Sequence, residues 1–264
     1  MGLPKNPAAL RHNAASGPLP PGAVAGPVPY ARPRAGWNGL LLLGEVPGSE
    51  EVNAGVPFAG PAGRLLDRCL EEAAILRHQC WIANAIRYRP EENRVRLFFA
   101  DPADPTADIA PSLPAAPHGL LLEAYLPEIR FLWQAILDIQ PAVILALGAT
   151  ATWAATGLCG VTKHRGTVHR ALHADIPVVP TFHPASALPS RTPENAAAIV
   201  EDLTGPVKTL LVASGYTEHD NPDARDHAPT RYAGHVDKGT WNTLRPLLRA
   251  LGTTAAAPSR TNIQ

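Results

Sequence analysis

Four short apolar runs recur along the chain: GLLLL (39–43), WIANAI (81–86), AVILAL (142–147) and IPVVPT (176–181). They show little alternation between apolar and polar positions, so each reads as a strand covered on both faces, as in a parallel sheet. Between them lie segments of helical period. In PAGRLLDRCLEEAAI (61–75), Leu65, Leu66, Cys69, Leu70, Ala73 and Ala74 share one face. LLEAYLPEIRFLWQAILDI (121–139) predicts a longer helix with Pro127 near its start, and ATATWAATG (149–157) a helix directly after the third strand. Thr192-Pro193-Glu194 supplies a cap, a first position and a dipole partner for a helix to about residue 203. Alternating β and α elements predict an α/β fold, a three-layer α/β/α sandwich on a central, mainly parallel four-stranded sheet. In such folds ligands bind beyond the carboxyl ends of the strands. The residues that matter are therefore expected straight after each run.

The 264 residues suffice for one large domain with appendages. Residues 1–36, rich in Pro, Ala and Gly, read as a flexible arm; 37–214 read as the domain, and 215–264 as a polar extension with one helical stretch near 240–251. A Pro-rich insertion at about 97–120 interrupts the domain. Loops of that length are usually lids or disordered segments. Basic and acidic residues balance at 23 each, so a polyanionic partner must be met by a local patch rather than by the net field. Cys69, Cys80 and Cys159 form no CxxC pair, which argues against a zinc ribbon or a disulfide framework and suits a reducing cytoplasm. The N-terminal stretch has no apolar leader core, and no run reaches eighteen apolar residues, so neither a signal peptide nor a membrane span is expected. Neutral charge and flexible ends fit a monomer.

The strand ends carry GEVPG after the first run, Asn84 within IANAIRYRPEENR after the second, Leu147-Gly148-Ala149 after the third and TFHPAS after the fourth. The predicted fold brings Glu45, Asn84 and His183 to one crevice. Gly44 and Gly48 are four apart, so G-x-G-x-x-G is not met, and no Gly-Lys-Ser/Thr closes a phosphate loop. Taken alone, the first loop is a βα turn with solvated acids.

The ordered set is more specific than any piece. GEVPG, Glu51, PFAGPAGRLLD, ANAIRYRPEENR, LGA, Arg165-Gly166 and TFHPAS together resemble the uracil-DNA glycosylase superfamily, closest to the family 4 branch with a GEAPG-type first motif. The resemblance runs from about residue 39 to 203. It implies an enzyme that flips uracil out of DNA and hydrolyses its N-glycosidic bond in base excision repair, with uracil-containing DNA as partner. Phe58 is then the ring on which the base stacks. Asn84 reads the base edge, donating to O4 and accepting from N3–H, a pattern that cytosine inverts. His183 points a ring N–H at O2 of the leaving base. Glu51 supports the cationic sugar or positions water, and Glu45 lines the pocket near C5, where it crowds a thymine methyl. Gly44 and Val46 complete the base pocket; Pro47, Gly48, Arg165, Gly166 and Ser186 are expected to meet DNA. Clusters at Arg87, Arg89, Arg94 and Arg96, and at Lys163, His164, Arg165, His169 and Arg170, would hold phosphates without reading sequence.

The sequence departs from the family pattern in places. The branch usually holds an iron–sulfur cluster on four cysteines. Two of those positions fall on Tyr88 and Tyr125, and the N-terminal region has no cysteine. No cluster, no other cofactor and no metal are expected. The spacing of His164, His169, His173 and His183 fits no common zinc pattern. Val46 narrows the room for water, and Val52 stands where the family tends to have Asp. Two alternatives stay open: a glycosylase for another deaminated or modified base, and a non-catalytic DNA-binding member of the same fold.

Overall fold

The computed structural model describes residues 18–34, 36–110 and 113–215. In chain order the elements are β1 (Ala23–Ala25), β2 (Leu40–Gly44), α1 (Ser49–Ala54), α2 (Pro61–Glu72), β3 (Trp81–Asn84), β4 (Arg89–Pro90), β5 (Phe99–Ala100) and β6 (Leu120–Leu121). Then come α3 (Leu126–Ile139), β7 (Val143–Leu147), α4 (Ala149–Thr156), α5 (Val161–His164), β8 (His169–Arg170), β9 (Pro177–Thr181), α6 (Asn195–Asp202) and α7 (Lys208–Ala213).

The main sheet has the order β3-β2-β7-β9-β8. Its first four strands are parallel, with Leu41 opposite Trp81, Leu40 opposite Val143 and Ile144 opposite Val178. These are the four apolar runs. The edge strand β8 pairs antiparallel to β9. It is two residues long and polar, so an apolar pattern gave no sign of it.

Alternation along β2 divides the core in two. Leu41 and Leu43 face a layer with Ile129, Leu132 and Ile136 of α3, Trp153 of α4 and the aromatic pair Phe98 and Tyr125. Leu40 and Leu42 face Leu65, Leu66 and Leu70 of α2, with Ile199, Leu203, Val207 and Leu211 behind. This is the two-residue period of a strand, buried on both sides. Each fully buried Leu contributes about 1.5–3 kcal/mol relative to an exposed one. α2 starts with Pro61 in its first turn after Gly60, and its buried face is Gly63, Leu65, Leu66, Cys69 and Leu70. α3 starts at Leu126 with Pro127 in its first turn. The last helical region begins at Asn195, just after the Thr-Pro-Glu signal, and joins α6 to α7 through a π turn at Leu203–Val207.

Part of the expected arm is not flexible. From residue 18 the chain runs antiparallel to the outer edge of the sheet. Ala23 pairs with Pro90, Ala25 with Arg89, and Ala31 forms a bridge with Ile82. Backbone N–H groups of Val28 and Arg34 donate to the carbonyls of Arg87 and His78. An edge strand leaves backbone groups unpaired, and this strap satisfies them. Its Pro and Gly residues serve an extended path rather than disorder. Residues 1–17 of the arm and 216–264 of the extension, including the helical stretch near 240–251, lie outside the described residues.

The Pro-rich insertion folds back on itself. β5 pairs with β6, Phe99 opposite Leu121, and Ala110 and Ala116 are buried. Trp153 Nε1 donates to the Pro114 carbonyl at 3.0 Å, which fastens the insertion to α4.

Candidate active site

The carboxyl ends of β2, β3 and β9 open into one pocket of about 370 Å³. Glu45, Val46, Pro47 and Gly48 enter it from the loop after β2, Asn84 from the end of β3 and His183 from the loop after β9. Phe58 and Glu51 close another wall. Of the pocket residues expected from the sequence, Glu45, Val46, Glu51, Phe58, Asn84 and His183 are thus brought together, while Gly44 is not in the lining but packs against Asn84 and Phe58. A volume of this size suits one small aromatic guest.

Phe58 is held rather than merely packed. Its φ of 55° lies in the left-handed region, a conformation that costs a non-glycine residue about 1–3 kcal/mol. Arg77 Nη2 donates to the carbonyls of Pro57 and Phe58 at 3.1 and 3.0 Å, while Nη1 pairs with Asp67. Helix α2 approaches so closely that a Cβ on Gly63 would lie 1.9 Å from the Phe58 carbonyl oxygen. The Phe58 ring faces His183, with centroids 5.9 Å apart and planes inclined by 27°.

Asn84 is 4% exposed, and among the described residues no hydrogen bond ties its carboxamide. A Cβ on Gly44 would lie 2.4 Å from Asn84 Oδ1 and 2.6 Å from Phe58 Cζ, so only glycine at 44 leaves both groups where they are. The polar atoms of the Asn84 side chain are not among those sealed without a partner, and Asn84 lines the pocket, so a guest there can supply the missing donor and acceptor.

His183 Nδ1 accepts a hydrogen bond from the Ala185 N–H at 3.1 Å. This fixes the tautomer in which Nε2 carries the proton. Burial pushes the imidazole below its ordinary value, opposed by Glu45 and Glu51 and reinforced by Arg191. The ring is therefore a neutral N–H donor. Ser186 Oγ donates to the His183 carbonyl and accepts from Asn195, so its hydroxyl braces the histidine loop.

The two acids differ. Glu51 takes the N–H of Gly48 on Oε2 at 3.0 Å and that of Gly60 on Oε1 at 2.8 Å. It joins the loop after β2 to the loop that carries Phe58. Glu45 accepts from the Thr150 hydroxyl and lies 3.5 Å from His118 Nε2, both at Oε1. Burial would raise its pKa, but His118, His183 and Thr150 outweigh that and hold the carboxyl below its ordinary value.

Several expected DNA contacts are otherwise engaged. Arg87 is buried in a two-pronged pair with Glu128, at 2.8 and 2.7 Å, with its guanidinium 3.8 Å from the Phe131 ring centroid. It cannot reach a phosphate, which corrects its place in a surface cluster. Arg94 pairs with Glu91 and Glu92, and Arg170 with Asp175. Arg165 Nη2 donates to the Ala198 carbonyl, Glu201 and Asp202, and the Gly166 N–H to the Pro180 carbonyl. Both brace the end of β9.

Sequence reasoning missed Asn93 and Arg191, which also line the pocket, and His118 and Thr150, which touch Glu45. Thr150 follows the end of β7 by three residues and was findable on that ground, whereas Arg191 lies ten residues beyond β9. His118 sits deep in the insertion, where nothing marked it.

The residues present do not fit an iron–sulfur cluster. Where the resemblance puts two thiolates stand Tyr88 and Tyr125, edge to face at 6.4 Å. Tyr125 is fully buried on Phe98, and its hydroxyl donates to the Pro21 carbonyl at 2.6 Å. Phenols in an apolar pack are the wrong donors for iron–sulfur. Among the described residues no group of three or more His, Cys, Asp or Glu stands where it could hold a metal ion. Nor is any helix there long and apolar enough to cross a membrane.

Residues 38–204 match the sequence profile described as the uracil DNA glycosylase superfamily. A type-4 uracil-DNA glycosylase of Thermotoga maritima is 35% identical over 166 residues, which are 62% of this chain and 73% of that protein. One from Pyrobaculum aerophilum is 30% identical over 172 residues, 62% of this chain and 74% of the relative. One from Sulfurisphaera tokodaii is 32% identical over 157 residues, covering 56% and 60%.

Proposed function

This chain belongs to the uracil DNA glycosylase superfamily, and from that premise we propose that it is a uracil-DNA glycosylase that hydrolyses the bond between uracil and deoxyribose in DNA. One observation carries the reading most directly. The carboxamide of Asn84, a buried residue, has no partner within the described protein, belongs to the pocket lining and lies beside the Phe58 ring. A flipped uracil offers the acceptor and donor that this amide lacks, and a π-face for the ring.

The chemistry follows from the other walls. Stacking on Phe58 contributes about 1–3 kcal/mol. As the glycosidic bond breaks, charge gathers on the base, and the neutral Nε2–H of His183 is the donor for O2. A fixed donor of this kind is worth roughly 3–4 kcal/mol in the transition state. Glu51 has both oxygens engaged by backbone N–H groups, so its part is to hold the two loops, with its negative charge on the pocket wall favouring a cationic sugar. Glu45, ionised beside His118 and Thr150, crowds the C5 position. Pro47 and Gly48 on the rim and the exposed Arg191 are the contacts assigned to the DNA backbone. Gly44 and Val46 shape the floor. Arg165, Gly166 and Ser186 act on DNA only indirectly, through the loop they brace.

The reading carries no iron–sulfur cluster, since the tyrosine pack takes the cluster's place, and it places a monomer at work on DNA in the cytoplasm. The test is product identification. Oligonucleotides with a single uracil, single-stranded or opposite G or A, should release free uracil and leave an alkali-labile site, while cytosine and thymine controls release none. Iron and acid-labile sulfide should be absent from the pure protein. Release of a different base and not uracil would move the assignment within the superfamily; intact DNA with tight binding would leave a non-catalytic member.

A further inference from the structure

Glu45 is not left to find its own orientation. Thr150, at the start of α4, donates its hydroxyl to Oε1, and His118 of the Pro-rich insertion brings Nε2 to 3.5 Å from the same oxygen. Oε2 takes no hydrogen bond from the described residues, and Glu45 lines the pocket. One oxygen is anchored, and the other is left without a hydrogen bond on a residue that lines the pocket.

The anchor is itself built. Thr150 is fully buried, so its hydroxyl direction is set by packing. The His118 ring lies against Phe99, centroids 5.5 Å apart, and Phe99 packs edge-on to Trp153 of α4 at 5.9 Å. The turn that carries His118 is closed by reciprocal backbone hydrogen bonds between Ala116 and Gly119. The Gly119 site is tight: a Cβ there would lie 2.2 Å from the Ala100 carbonyl oxygen. A segment of chain that looks like a loose insertion therefore delivers one imidazole to one carboxylate at the pocket.

We propose that His118, with Thr150, is a specificity-determining positioning residue: it fixes the Glu45 carboxylate so that its free oxygen bars 5-substituted uracils from the base pocket. The insertion then belongs to the substrate-selecting machinery. This rests on the uracil reading above, in which Glu45 faces C5. With the anchor removed the carboxylate swings, and the C5 side of the pocket gains room for a bromine or methyl group.

The test compares single-turnover rate constants for uracil and 5-bromouracil in the same single-stranded oligonucleotide. His118→Ala should lower the preference for uracil by roughly tenfold, the scale of one hydrogen bond to a carboxylate. His118→Gln, whose Nε2 is a donor at similar reach, should restore much of it. Thr150→Val should act in the same direction. In a Glu45→Gln background His118→Ala should change the preference no further, because the residue acts through Glu45. An unchanged preference in His118→Ala, or an equal change in the Glu45→Gln background, would overturn the proposal. A second arm needs no turnover: in the full-length protein at one fixed pH, the His118 ring resonances followed by NMR should differ between Glu45→Gln and wild type, because the carboxylate 3.5 Å from Nε2 is replaced. Unmoved ring resonances overturn the contact. Failure of wild type to release uracil, with the NMR shift present, would instead strike the functional reading.

Discussion

Gly44 and Phe58 stand so close that a Cβ on the glycine would lie 2.6 Å from Cζ of the ring. The tip of Phe58 and the amide of Asn84, which both line the pocket, share the space that a side chain at 44 would fill. Gly44→Ala must push one or both aside. Overpacking of this kind costs about 1–3 kcal/mol of stability, so the variant should remain folded. Its rate of uracil release should fall by at least about a hundredfold, a change of roughly 2.7 kcal/mol in barrier. Circular dichroism and a single-turnover assay on one preparation check both halves.

Glu51 joins Gly48 to Gly60 through its two carboxylate oxygens. Glu51→Gln replaces one acceptor by an NH₂ that faces a backbone N–H. It should lower unfolding stability by about 1–3 kcal/mol, read from the urea midpoint, as well as activity. An acid that acted on the reaction alone would leave the midpoint unchanged.

The pH dependence follows from the histidine and the acid facing it. His183 lies below its ordinary value of 6.5 because it is buried. Its neutral form thus persists below pH 6.5, and activity falls only as pH drops through the lowered value. Between those two values the unfolded chain binds a proton that the folded one refuses, so stability also declines on acidification. Glu45, held below its ordinary 4.5, contributes stability that is present above 4.5 and lost as pH falls through its lowered value. Since the Glu45 charge raises His183, Glu45→Gln should move the acid limb of the rate profile to lower pH. A limb that moves to higher pH contradicts the electrostatics.

Arg87→Ala should act on folding and not on DNA. It leaves Glu128 buried and unpaired, which costs about 3–5 kcal/mol. The dependence of log affinity on log salt should keep its slope, because no phosphate contact is removed. A slope reduced by about one would return Arg87 to the DNA surface.

Much of this arrangement was legible in the sequence because it rests on apolar burial and on strand ends. Leu40–Leu43 and Val143–Leu147 are buried on both faces, and a run of that kind has few other places to go. Asn84 and His183 follow from position once the sheet order is known; Phe58, between α1 and α2, was marked only by the family resemblance. Long-range polar pairing was not legible. Arg87 looked like one of four clustered cations; only the fold shows Glu128, 41 positions away, beneath it. The strap from residue 18 resembled a linker because Pro and Gly mark both disorder and extended edge pairing. His118 has no local signature, since its role depends on a turn that returns it to Glu45.

The central claim is that Asn84 and His183 act together on a uracil seated at Phe58, and uracil release by three proteins tests it most directly. Wild type, Asn84→Ala and His183→Ala would be compared under single turnover on one uracil-containing strand, with free base quantified. The account predicts release by wild type and losses of about a hundredfold or more in each variant, with thermal stability and affinity for undamaged DNA retained. Release that survives in both variants, or that is absent from wild type, would contradict it.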